Sequence, residues 1–394
     1  MFRNNTFHGQ TEAEAGGNQH TDAIFTEPSP LTEYNLVEGN LNSGGVGPNA
    51  KNFLTQGQDG CAASGICFGA IFRYNVAHNL DGGNLSGYDF PYVKLYNNTY
   101  VNMGQACSGC YGGLDVLNKI NVAMSHSSDI NNIYYFGSAV TASGDANPVS
   151  FDAPSAATGV WGHSLAYCNA SGPSNCALYG HLYEQGTWTS EPGNILGYQD
   201  HTPSNNPNFA NLAANDFHLQ SNSPAIGAGT YLTTVAAGDS GSGTTLVLND
   251  ASYFQDGYGL NGVQPDWIAI GSTGNVVQIS SINYATNTIT LASPISRSPG
   301  QAVYLYKNSS GVQVLYGSAP DIGAYEYTGS TSTPPPPPTP IPGDFNLDHI
   351  VNALDYSILN SHWLQAFSQA DINSDGLINS LDFAILKSNW GKVW

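Results

Sequence analysis

Positive charge is scarce in this chain. Its 394 residues hold 9 Lys and Arg against 29 Asp and Glu, a formal net charge of −20. A nucleic-acid binder needs a basic face, so this balance excludes that class. Charged residues of both signs make up only 10% of the chain, yet 41% is hydrophobic, too much for a disordered polymer. No apolar run reaches the roughly 18 residues that would predict a transmembrane helix. Met, with 3 copies, and the helix formers Lys, Arg and Glu are all sparse, whereas Gly (45) and Tyr (23) are abundant and Asn recurs throughout. Such a composition predicts a mainly β protein with many tight turns.

Six cysteines fall into three close pairs: Cys61 with Cys67, Cys107 with Cys110, and Cys168 with Cys176. An even count in local pairs predicts three disulfides and an oxidising, extracellular compartment. Cys107 and Cys110 also read as half of a zinc site, but a second C-x-x-C pair is missing. Met1 leads directly into the strand-like Phe2-Arg3-Asn4-Asn5-Thr6-Phe7. A secretory leader would begin basic and then turn apolar, so further residues are expected upstream.

The sharpest boundary is residues 331–342, with five consecutive prolines at 334–338. Such a run adopts extended polyproline II and spaces two units apart. In the larger unit, short alternating segments end in Asn: Phe2–Asn5, Val37–Asn40, Phe72–Asn75, Leu95–Asn98 and, more loosely, Asn118–Asn121. The terminal Asn residues are 35, 35, 23 and 23 positions apart. One strand alternation per repeat with Asn at the turn predicts stacked coils, each adding a strand about 4.8 Å above the last. The Asn side chains would form a ladder.

This pattern resembles the right-handed parallel β-helix superfamily that includes pectate lyases. Asp216-Phe217-His218-Leu219-Gln220 with Ser223-Pro224-Ala225-Ile226-Gly227 looks like the last coil of bacterial members, and Pro320–Tyr327 looks like their closing strand. By that resemblance the solenoid spans 1–229 and closes at 319–328. Between them, 230–318 reads as an inserted antiparallel β module, with strands around Thr244–Leu248, Val276–Ser280 and Thr288–Leu291. It would cap the solenoid or bind sugar. The linker is 329–342 and the small C-terminal unit 343–394.

The most specific motif lies in that last unit. Asp344, Asn346, Asp348, Ile350, Asn352 and Asp355 recur 27 residues later as Asp371, Asn373, Asp375, Leu377, Asn379 and Asp382. Oxygen ligands at loop positions 1, 3, 5, 9 and 12, with a backbone carbonyl at 7, wrap a hard Ca²⁺ ion. Each loop runs into an apolar helical pattern: Tyr356, Ile358, Leu359, Trp363, then Phe383, Ile385, Leu386, Trp390. Position 6 is Gly376 in the second loop but His349 in the first, where backbone strain predicts a weaker site.

The duplication resembles a type I dockerin domain. The resemblance implies two bound Ca²⁺ ions, one per loop. It also implies a cohesin partner met by loop positions 10 and 11, here Ala353 and Leu354, then Ser380 and Leu381. It further implies presentation of a secreted or surface-attached polysaccharide-degrading protein.

Aligning the coils on their Asn places Arg3, Glu38, Arg73, Tyr96 and Lys119 two residues before it. Alternation puts this column on the outer face of one sheet. Lys94 is read as one residue out of column, requiring a bulge to share the face. A basic and aromatic strip suits an acidic sugar chain, because Arg grips carboxylates and Tyr stacks on sugar faces. In lyase chemistry Arg73, Lys119, Tyr96 and Glu38 are the catalytic candidates, with Arg3, Lys94, His78 and Asp81 as substrate contacts. The competing reading is an exposed salt-bridge ladder. Hydrolysis would require two positioned carboxylates. The catalytic motifs of polygalacturonases and classical pectate lyases are missing, so the resemblance transfers no catalytic residue. The expectation is a polysaccharide lyase or hydrolase, with a non-catalytic adhesion protein as the rival.

Overall fold

The computed structural model describes residues 1–8, 21–26, 35–44, 50–56, 69–80, 85–88, 93–103, 114–116, 128–137, 149–151, 160–168, 181–184, 187–190, 206–329, 342–343, 345, 351–365, 370–373 and 375–392. These fall into two compact units, Met1–Gly329 and Ser330–Trp394.

Two six-stranded, wholly parallel sheets organise the first unit. Sheet A stacks Phe2–Arg3, Asn35–Glu38, Ala70–Arg73, Lys94–Tyr96, Ser128–Ile130 and Val160–Gly162 in that order. Sheet B stacks Thr6–His8, Leu41–Ser43, Val76–Leu80, Thr99–Met103, Ile133–Phe136 and Leu165–Cys168. Thr21–Thr26, Ala50–Gln56 and Leu85–Tyr88 form a third parallel sheet. The chain therefore visits A, then B, then a third strand, and returns to A one level further along. Register is continuous: Arg3 lies beside Glu38, Glu38 beside Arg73, Arg73 beside Tyr96, and Tyr96 beside Ile130.

An asparagine ladder holds the corner between sheets A and B. Asn5, Asn40, Asn75 and Asn98 each donate backbone N–H and side-chain Nδ2 to the Oδ1 of the next rung, at 2.7–3.0 Å. Asn132 ends the series by donating its backbone N–H to Ser164 Oγ at 3.0 Å. The rungs are 35, 35, 23 and 34 residues apart, so the fifth is Asn132 and not Asn121. The residue before each rung turns the corner in the left-handed region: Asn4, Gly39, Tyr74, Asn97, Asn131 and His163. Asn and Gly tolerate that conformation at low cost, so paired polar residues recur there.

Both outer faces are covered. A hairpin of Phe209–Asn211 and Asp216–Leu219, together with residues 225–228 and 320–327, packs on sheet B, joining Phe209, Phe217 and Ile322 to Val76, Val101 and Ile133. Two expectations change here. Asp216–Leu219 pairs antiparallel with its hairpin partner, so it is not a parallel coil. Residues 320–327 contain no strand; they are pinned singly, as by Gly323 N–H to Asn131 O at 2.8 Å. Gly323 has φ +102°, and a Cβ there would stand 2.5 Å from Ile133 Cδ1, so only glycine fits that approach.

Sheet A is covered by a six-stranded antiparallel sheet, ordered Thr233–Thr234, Ala302–Lys307, Trp267–Ile270, Val276–Asn283, Thr288–Arg297 and Gly241–Val247. Its Ile268, Ile270, Val303 and Leu305 share one core with Leu36, Ile71 and Ile130 of sheet A. Each such side chain contributes roughly 1.5–3 kcal/mol of burial.

The second unit is a duplicated loop and helix. Helices Ala353–Ser361 and Ser380–Ser388 each begin at a capping box, Asn352 with Asp355 and Asn379 with Asp382. The two halves clasp reciprocally: Ile378 N–H donates to Gln365 O, and Val351 N–H to Lys392 O. Val351, Leu359, Ile378 and Leu386 fill the shared core with Phe345 and Ala370.

Candidate functional site

The charged column on sheet A is not a surface. Arg73, Glu38 and Tyr96 are each 0% exposed. Arg73 sits at the centre. Its Nη1 and Nη2 meet Asp266 Oδ2 and Oδ1 at 2.7 Å each, its Nε meets Glu38 Oε2 at 2.5 Å, and Nη1 also donates to Tyr96 Oη at 2.9 Å. Tyr96 Oη donates onward to Tyr253 O at 2.8 Å. Burial pushes the Arg73 guanidinium down, but the charges of Asp266 and Glu38 outweigh it and hold the pKa above the usual arginine value. Arg3 donates to Ser309 O and Gly262 O of the covering module at 2.7 and 2.9 Å.

The expectation that these residues face a polysaccharide is therefore corrected. They join sheet A to the module, and a glycan cannot reach Arg73, Glu38 or Tyr96; Arg3 is half-buried. Lys94 is corrected too. It lies two residues before Tyr96, hence on the same face without a bulge. It is buried, with Nζ 2.7 Å from Asp250 Oδ2 and 4.3 Å from the centre of the Tyr253 ring. Burial lowers its pKa, against the opposing pull of Asp250. His78, another substrate candidate, is buried against Phe217, with ring centres 5.2 Å apart, and burial lowers its pKa to about 4. Lys119 and Asp81 lie outside the described residues, as do Cys61, Cys67, Cys107, Cys110 and Cys176. Cys168 ends a strand of sheet B.

Asp250, Asp266, Gln255 and Ser309 complete this network, and the sequence reading did not find them. The available signal was stoichiometric: scarce buried cations require carboxylates, and the inserted module carries them.

In the second loop of the C-terminal unit, carboxylate oxygens of Asp371, Asp375 and Asp382 converge within 4.8 Å of one another. Oxygens on opposite sides of a Ca²⁺ ion stand about 4.6–5.2 Å apart, so the donor set fits that ion. Asp382 is buried and fixed by N–H bonds from Ile372 and Asn379 at 2.8 and 2.9 Å. Asp371 accepts from the N–H of Asp375 and of Gly376 at 3.1 and 2.9 Å. Gly376 turns the loop at φ +93°, the role expected of a glycine at position 6. Asn373 and Asn379 each donate Nδ2 to Asp375 Oδ2, at 2.9 and 3.0 Å. Their Oδ1 atoms accept from the N–H of Asp375 and of Leu381. Leu377 O accepts from Asn379 Nδ2.

Of the first loop, Asn352 and Asp355 are described, and Asp355 accepts from the N–H of Phe345 and Asn352 at 2.7 and 2.8 Å. This matches Asp382 in the second loop. Asp344, Asn346, Asp348 and Ile350 lie outside the described residues. Ala353, Leu354, Ser380 and Leu381 are exposed at the two helix starts, with Leu354 at 61% and Leu381 at 58%.

Residues 342–389 match the family model of the dockerin type I domain. No curated protein and no solved structure matches the chain. Dockerin type I domains bind calcium and dock onto cohesin, and the proteins that carry them are typically extracellular or surface-attached. Among the described residues, no helix is long and apolar enough to cross a membrane.

Proposed function

We propose that this chain is an extracellular, cohesin-docked component whose β unit engages polysaccharide. The carrying observation is the convergence of Asp371, Asp375 and Asp382 inside the segment that matches the dockerin model. Two Ca²⁺ ions, one per loop, fold the domain and present Ala353, Leu354, Ser380 and Leu381 to cohesin. Ligand binding of this kind is linked to folding of a small unit.

The order of sheets A and B, with strands returning one level further along, supports a parallel β-helix over residues 1–168, short of the 1–229 expected from sequence. The module at 230–318 then caps it, 319–328 closes it, 329–342 is the linker and 343–394 docks. Three disulfides in an oxidising exterior belong to the same reading. Burial of Arg73, Glu38 and Tyr96 removes the lyase chemistry argued from those three residues; Lys119 lies outside the described residues. The reading therefore favours polysaccharide binding, with no catalytic residue assigned.

The test uses the full chain. Binding to type I cohesin modules is measured with calcium and with EGTA. Retention on neutral and acidic polysaccharides is measured beside release of reducing ends and of unsaturated uronates. Calcium-dependent cohesin binding with polysaccharide retention is expected. Cohesin binding that ignores EGTA, or no retention on any polysaccharide, would overturn the corresponding half.

A further inference from the structure

A cleft of about 370 Å³ opens where the A–B corner, the covering module and the tail before the linker meet. Its wall includes Tyr74, His218, Tyr316, Tyr325 and Glu326. These residues come from distant parts of the chain, and neither the calcium loops nor the buried Arg73 network explains them.

Tyr74 is the first sign of purpose. It occupies a corner position that Asn or Gly fills in four of the other coils, at φ +56°. A bulky residue in that region costs about 1–2 kcal/mol, and such strain clusters at binding sites. Its ring packs edge-on to Tyr96, with centres 6.3 Å apart, and lines the cleft.

His218 and Tyr325 supply a flat surface. Their rings stack at 4.1 Å with 20° between planes. His218 Nδ1 is 2.6 Å from Asp216 Oδ1. With Nδ1 bonded to that carboxylate, the Nε2 edge is the ring's other polar position. Tyr316, 48% exposed, offers another aromatic face at the mouth.

Charge selects the ligand. Among the described residues, no Lys or Arg lines the cleft. An acidic sugar would find no Lys or Arg there to pair its carboxylates. Burial, with the charge of Asp321, pushes the Glu326 carboxyl up to about 8, so at neutral pH it is largely protonated and both donates and accepts. Aromatic faces around neutral hydrogen-bonding groups suit a polyhydroxylated ring.

We propose that this cleft is a subsite for a neutral sugar residue of a polysaccharide, stacked on the aromatic walls and hydrogen-bonded by Glu326 and His218. The proposal rests on the reading that the β unit engages polysaccharide, and it replaces the acidic ligand expected from sequence with a neutral one.

Calorimetric titration of the full chain tests it, using cellohexaose, xylohexaose and mannohexaose beside hexagalacturonate. The variants are Tyr316→Ala and His218→Ala, with Tyr231→Ala as an exposed aromatic control outside the cleft; thermal melts check folding. The expected result is binding of a neutral hexaose that falls at least tenfold in both cleft variants and is unchanged in the control. If His218→Ala fails to fold, the surface residue Tyr316 decides. Neutral binding indifferent to Tyr316→Ala, or binding of hexagalacturonate alone, would overturn the subsite while leaving polysaccharide engagement intact. Binding of no sugar, soluble or polymeric, would overturn both.

Discussion

Arg73 and Asp266 stand 193 residues apart in sequence and meet as a forked pair, both N–O distances 2.7 Å and both side chains 0% exposed. One comes from the parallel stack and the other from the module that covers it. The geometry is bidentate and fully desolvated; without Arg73 both Asp266 and Glu38 would be buried carboxylates lacking their cation, and without Asp266 the guanidinium keeps Glu38 but loses both bonds of the fork. Asp266→Ala should destabilise the first unit by about 3–5 kcal/mol, read as a lower urea midpoint. Arg73→Met with Asp266→Leu and Glu38→Leu should recover much of that loss, because apolar replacements of similar volume remove all three charges together. A single Asp266→Ala variant with an unchanged midpoint would show that the pair does not join the two layers.

The asparagine ladder gives a second prediction. Asn75 Oδ1 accepts two N–H bonds from Asn40, and its Nδ2 donates to Val37 O and Asn98 Oδ1. Asn75→Ala strands the buried Asn40 N–H and should cost about 3 kcal/mol or more, since each unmet buried group costs roughly 1–3 kcal/mol. Asn5→Ala, at the part-buried end of the ladder, should cost distinctly less. Denaturation of the two variants side by side checks the order.

Stability should also depend on pH through Glu326. Its folded pKa is raised from the ordinary 4.5 to about 8, so the folded state holds the proton more tightly than the unfolded chain. Its contribution is complete below pH about 4.5 and is lost as pH rises through about 8. Asp129, pushed up to about 7 by burial, acts in the same direction. Glu326→Gln should flatten part of the decline between those limits, by an amount on the order of a few kcal/mol. Midpoints of wild type and variant across that range provide the measurement.

Four ladder rungs were legible in the sequence because an apolar inward residue precedes each Asn by three. The fifth was missed for a physical reason. In Ser128-Asp129-Ile130-Asn131-Asn132 the inward position is Asp129, which aligns with Leu95 and breaks the apolar signal. Asp129 bonds instead to Tyr134 Oη at 2.8 Å and to Asn132. The outward direction of Arg73 and Tyr96 was legible from period-two alternation. Their burial was not, because it depends on a module folding back from 193 residues away. The convergence of Asp371, Asp375 and Asp382 in the second loop was legible from their spacing, since local sequence sets the geometry of so short a loop.

Within the calcium loops, Asp371→Ala should matter beyond a lost charge. Asp371 both contributes to the carboxylate group and accepts the N–H bonds of Asp375 and Gly376. The variant should lose the calcium heat of the second loop and keep that of the first. Loss of both together would mean that the reciprocal clasp between the halves couples them; an unchanged titration would exclude Asp371 as a ligand.

The most direct test is calcium titration of the full chain, followed by heat and by the far-ultraviolet helical band, and then reversed with EGTA. The account predicts saturable calcium binding. It predicts that chelation removes the helical signal of Ala353–Ser361 and Ser380–Ser388 while the β unit's unfolding transition stays in place. No heat of calcium binding, with a helical band indifferent to EGTA, would contradict it.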